Sequence, residues 1–149
     1  MKKLLSVCLL LLFATTFYGC STSSSTIVSN IGDGKVDEVE AASINLAVGI
    51  YLSANPKIIK PTYDISTILL EIIDGNVVTS VSVLDTYLNA EVSKLNFDNA
   101  TLQSFKDLVV LVKARIAQDL KAIDISENDK VIVVRDVIRI VQQAAYTRL

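Results

Sequence analysis

The sequence predicts an all-α protein, a compact bundle or irregular packing of about five helices. Three observations support this. Apolar residues recur three and four positions apart through most of the chain after residue 36. Short runs carrying Asn55-Pro56, Asp74-Gly75 and Phe97-Asp98-Asn99 separate the periodic segments. A strand over residues 77–83 would need a partner, and only residues 131–134 offer another β-rich run.

The chain opens with MKKLLSVCLLLLFATTFYGC. Lys2 and Lys3 form a positive n-region, Leu4 to Phe13 an apolar h-region, and Ala14 to Tyr18 lead to Gly19 and Cys20. That is the layout of a secretory signal peptide. Its end, Phe17-Tyr18-Gly19-Cys20, resembles the lipobox of bacterial lipoproteins: a large apolar residue, a variable one, a small one, then cysteine. Phe17 stands where that family usually has leucine. The resemblance implies that Cys20 receives a diacylglycerol, that cleavage follows Gly19, and that the new amino terminus is acylated. It also implies an outer-membrane address in a cell with two membranes, because Ser21 replaces the aspartate associated with inner-membrane retention. Two other readings compete. Cleavage after Ala14 would leave Cys20 a free or paired thiol. An uncleaved anchor needs about 20 apolar residues, whereas Leu4 to Tyr18 supplies fifteen, two of them threonines. Cys8 is no rival acceptor, since the bulky Val7 precedes it.

The expected organisation is therefore a signal peptide over 1–19, a lipidated cysteine and flexible tether over 20–32, and a single helical domain over 33–149. Residues 21–30, STSSSTIVSN, are small and polar with little to bury. Asn30 to Gly34 reads as a turn. The 130 residues left after processing suffice for one domain.

The first helix is expected over about Val36 to Ala54. Either Asp33 or the Asp37-Glu38-Glu40 group suits its start, where carboxylates meet unpaired amides. Val39, Ser43, Leu46 and Ile50 form its stripe, extended by Ala42, Ala47 and Tyr51. Ala41 to Ala54 is the most apolar part of the mature chain and reads as a buried central helix. Gly49 there costs about 1 kcal/mol relative to alanine, and a close helix crossing is its expected reason.

Pro61 at a first helical position opens a second helix over about Thr62 to Ile73, with Ile65, Ile68, Leu69 and Ile72 on one face and Gly75 as its stop. Val77, Thr79, Val81 and Val83 alternate as in a strand. Val81, Leu84, Leu88, Val92 and Leu95 keep helical spacing, which favours a helix over about Val81 to Leu95 capped by Ser80 or Thr79. The fourth helix, Thr101 to Leu120, has the clearest stripe: Leu102, Phe105, Val109, Val112, Ile116 and Leu120. Ser126 to Asp129 matches a capping box opening the fifth, about Glu127 to Thr147, with Val134, Val137, Ile138, Val141 and Ala145 inward.

Charge and composition narrow the function. The chain has 14 basic and 16 acidic side chains and no histidine. Its mature part is acidic without a basic run, unlike a nucleic-acid binder. Without histidine the Ser-His-Asp and Cys-His catalytic sets and the usual zinc sets are absent. No glycine-rich phosphate loop occurs. No cofactor or metal is expected; Asn30, Asp33 and Asp37 do not fit a calcium loop. Carboxylate chemistry is the one catalytic route left, through Asp37, Glu38 and Glu40. Glu71 and Asp74 read as surface charges. Tyr51, Tyr63, Tyr87 and Tyr146 read as core and core-edge packing, with contact at an interface or pocket as the alternative. Arg135, Arg139 and Arg148 are a candidate surface for an acidic partner or anionic lipid head groups, against a solvated helix face.

The reading that follows is a non-enzymatic envelope lipoprotein, held to the membrane by the lipid on Cys20 and contacting an unidentified envelope protein. The alternative is a helical carrier of a small apolar or amphipathic ligand, motivated by an aliphatic chain with few aromatics. That role demands a large apolar cavity. A carboxylate-based hydrolase comes third.

Overall fold

The computed structural model describes residues 36–121 and 126–149. Gly19 and Cys20, the tether over 20–32, and Asn30 and Asp33 lie outside the described residues.

Five α-helices and one 3-10 turn make up the regular structure of the described residues: α1 (Glu38–Ala54), the turn Pro56–Ile58, α2 (Ile59–Asp74), α3 (Val81–Ser93), α4 (Asn99–Lys121) and α5 (Glu127–Tyr146). The chain is all-α, and no strand occurs among those residues. Residues 77–80 are irregular and lead into α3, while 131–134 lie within α5. Helical spacing from Val81 onward outweighs the alternation because a lone strand would leave its backbone groups unpaired.

Local chemistry sets the boundaries. At α1, Asp37 accepts from the amides of Val39 and Glu40 at 2.9 and 2.8 Å, and Glu40 accepts from the Asp37 amide at 3.2 Å, a complete capping box. Ser80 caps α3 through the Val83 amide. Asp98 accepts from the Thr101 amide at 2.8 Å at the start of α4, and these bonds hold its carboxyl below the ordinary range. Ser126 caps α5 by accepting from the Asp129 amide. Asp129, one methylene shorter than Glu, takes a hydrogen bond from the Ser126 hydroxyl at 2.6 Å.

The end of α2 departs from expectation. Gly75 is in an ordinary conformation, and Asn76 takes the left-handed one, φ 55°. The Asn76 amide bonds Ile73 O and the Val77 amide bonds Ile72 O, the paired closure of a Schellman motif in which asparagine replaces the usual glycine. Pro61 is also displaced: it is the third residue of α2, still inside the first turn, where no amide is needed.

The centre of the fold is α5, which packs against all four other helices and most broadly against α2. Val134, Val137, Ile138, Val141 and Ala145 are buried as expected, together with Val131, Val133 and Ala144. The expectation of a central α1 is corrected. Its buried face is Glu40, Ile44, Val48 and Leu52. The stripe of Val39, Ser43, Leu46 and Ile50 points outward, with Val39, Leu46 and Ile50 49, 63 and 63% exposed. The helix is apolar on both sides, so periodicity could not choose between them. Branched Ile44, Val48 and Leu52, spaced by four, form the side that packs inward.

Gly49 is also explained differently. A Cβ there would meet the Arg148 guanidinium, not a crossing helix. Arg148 lies over the glycine and donates to Ala144 O at 2.7 Å and to Ser53 Oγ at 3.2 Å.

Candidate functional site

α2, α3, α4 and α5 line a cavity of about 440 Å³ that is open on one side. Its inner wall is built by the buried Ile65 and Leu69 of α2 and Val134, Ile138 and Val141 of α5. Phe105 and Leu108 close the α4 side, and Leu84 the α3 side. The α4 stripe read from the sequence continues along it through Val109, Val112, Ile116 and Leu120, which are only half-buried. The clearest amphipathic helix of the chain thus sets Phe105 and Leu108 in the core and borders the cavity with the rest of its apolar side.

Polar groups in the wall are few. Thr62 is buried and its hydroxyl donates to Ile58 O at 2.7 Å, so its proton is already committed. Ser66 is buried on the same helix. The open side lies between α3 and α4, where Ser82 and Ala117 are exposed. Lys113 of α4 and Asp85 of α3 meet there at 2.7 Å, both partly exposed. Such a volume, apolar wall and sparse polar rim match the usual form of a small-molecule site.

A second concavity runs between α1 and α5, lined by Ala41, Ala42, Asn45, Leu46, Arg139, Ile140, Gln143 and Arg148. Of the three candidate arginines, Arg139 and Arg148 share this groove and Arg135 does not. Arg139 is loosely paired with Asp74 at 3.8 Å and Asp136 at 3.9 Å. Arg135 faces Asp136 at 3.5 Å. The groove borders the exposed face of α1, an apolar patch without charge from Val39 to Ile50.

The acidic candidates do not assemble a catalytic pair. Asp37 and Glu40 are held in the α1 cap, and Glu38 is exposed. Glu40 instead belongs to a buried cluster: Arg115 Nη2 lies 3.0 Å from Glu40 Oε1 and 3.4 Å from Asp119 Oδ1. Burial pushes both carboxyls up, and Arg115 partly offsets that rise. Glu71 and Asp74 are exposed at the end of α2. Tyr51 donates to Ser104 O at 2.9 Å, joining α1 to α4. Tyr63 and Tyr146 pack ring to ring at 5.9 Å, and Tyr87 is half-buried against the core. No group of three or more metal-ligating side chains is gathered among the described residues. No described helix is long and apolar enough to cross a membrane.

Sequence reasoning did not bring together Lys113 with Asp85 or Arg115 with Glu40, since pairs 28 and 75 positions apart leave no local signal; Arg115 and Asp119, four apart on one helix, were a legible pair that spacing alone reads as a surface one. The apolar stripes of α2, α3, α4 and α5 that line the cavity were legible in the sequence, but not the space between them. Comparison with protein-family models, curated proteins and solved structures finds no match to this chain.

Proposed function

We propose that the chain is a lipid-anchored envelope protein whose helical domain carries an apolar or amphipathic ligand between α2, α3, α4 and α5. The cavity of about 440 Å³ carries this reading. Its apolar wall is left to water through the open side, and an apolar occupant would bury that surface, a gain of about 25 cal/mol per Å² covered. The anchor rests on Phe17 to Cys20 and on the lipobox resemblance; it would place the cavity beside a supply of lipid.

The test uses the full chain reconstituted in vesicles doped with a lipid bearing a diazirine in its tail. Cross-links are expected on cavity residues such as Leu69 and Ile138. They should disappear in Ile138→Trp, or in the milder Leu69→Phe, while the thermal unfolding transition persists. Labelling confined to the outer surface would sink the carrier reading.

A second reading, the protein-interaction module, is favoured by the exposed apolar face of α1. Leu46→Glu should then abolish cross-linking to a specific envelope protein and leave cavity labelling intact.

A further inference from the structure

We infer that the ligand of the cavity is an amphiphile whose head is uncharged and hydroxyl-bearing, and that the Lys113–Asp85 pair reads that head. The inference rests on the carrier reading and adds the ligand's chemistry to it.

The cavity has two ends of different character. Its inner wall is aliphatic, and the Thr62 proton is held by Ile58 O. A polar head placed there would exchange its water for no more than the Ser66 hydroxyl and the lone pairs of Thr62, whereas the opening offers two charged partners. The tail therefore enters first and the head stays at the open side, between α3 and α4. The charged side chains lining that opening are Lys113 and Asp85. Lys113 Nζ lies 2.7 and 2.8 Å from the two Asp85 oxygens, so each charge is already neutralised by the other.

That pairing selects against net charge. A carboxylate head drawn to Lys113 would sit against Asp85, and an ammonium head drawn to Asp85 would sit against Lys113. Either must break the pair or accept like-charge repulsion, the usual basis of discrimination by exclusion. A hydroxyl both donates and accepts. It can take a remaining Nζ hydrogen and give its own to a free lone pair of Asp85, leaving the pair intact. The pair also joins α3 to α4 across the opening, so a head bound to it would close the cavity over the tail.

The experiment offers the full chain, in vesicles, three probes with the same diazirine-bearing tail: a monoacylglycerol, a fatty carboxylate and an alkylamine. All are used at a pH where the last two are charged. The monoacylglycerol is expected to label cavity residues severalfold more than either charged probe. Asp85→Asn leaves Lys113 unpaired and should shift the preference to the carboxylate; Lys113→Met should shift it to the alkylamine. Because the pair is partly exposed, neither change should disturb folding, which the thermal transition checks. Equal cavity labelling by all three probes, or a wild-type preference for a charged head, would overturn the inference and leave the carrier reading standing. Labelling of the cavity by none of them would overturn both.

Discussion

Arg115 bonds Glu40 at 3.0 Å and so ties the middle of α4 to the first turn of α1, 75 residues earlier. The same guanidinium reaches Asp119 one turn along its own helix at 3.4 Å. One cation thus faces two carboxylates that are 4% and 1% exposed. Neither Asp119 oxygen has a hydrogen-bond partner among the described residues.

This cluster gives the stability of the domain a defined pH dependence. Burial raises the folded pKa of Glu40 above 4.5 and of Asp119 above 3.8. Between those unfolded values and the raised ones, the folded state holds more protons than the unfolded state. Stability should therefore fall as pH rises through that window. The Asp98 carboxyl, lowered by its bonds to Thr101, acts oppositely, and its contribution is lost on acidification through its lowered pKa. Urea midpoints measured across the acid range should decline toward neutral pH, and Asp119→Asn should flatten the decline. An unchanged slope in that variant would show that Asp119 is not its source.

Removing the cation is the harsher change. Arg115→Ala leaves two buried carboxylates without their counter-charge, and breaking a buried pair in this way costs about 3 kcal/mol or more. Chemical denaturation of Arg115→Ala should show that loss at neutral pH, and a smaller one in acid where the carboxyls are protonated.

Gly49 and Arg148 should be coupled. Gly49→Ala gains about 1 kcal/mol of helix propensity but displaces the guanidinium from Ala144 O and Ser53 Oγ. In the wild-type background the two effects oppose each other. In Arg148→Ala the obstacle is gone, and Gly49→Ala should recover the full gain. A double-mutant cycle on unfolding free energies measures the difference; additivity would show that Arg148 does not occupy the site in solution.

The cap of α5 should be worth about 1 kcal/mol, the usual cost of replacing such a serine by alanine. Ser126→Ala removes the acceptor of the Asp129 amide. Because α5 contacts every other helix, the loss should appear as a single shift of the whole transition, with no separate melting of α5.

Processing has its own test. Cys20→Ala is expected to block lipid attachment and impair cleavage, read from the intact mass of the membrane-associated chain. An unacylated terminus at another residue would remove the anchor from the proposed function.

Where structure follows local chemistry, it was legible. Ser126, the start of α3 at Val81, and the inward face of α5 all follow from capping and spacing. The outward face of α1 was misjudged because two apolar stripes share one helix, and nothing within it ranks Leu46 against Val48. Asn76 took the left-handed position because the closure falls one residue beyond Gly75. Of the candidate site, the apolar stripes of its four helices were visible, but the spacing that signals burial cannot distinguish a packed core from a cavity wall.

The sequence by itself determined the helices, their caps and their breaks, because those depend on neighbours within a turn or two. The tertiary structure decided which face of α1 is buried, how Arg115 meets Glu40, and that four helices leave a space with Lys113 and Asp85 at its opening. These depend on how side-chain volumes distant in the chain fit around α5, and no local pattern encodes that fit.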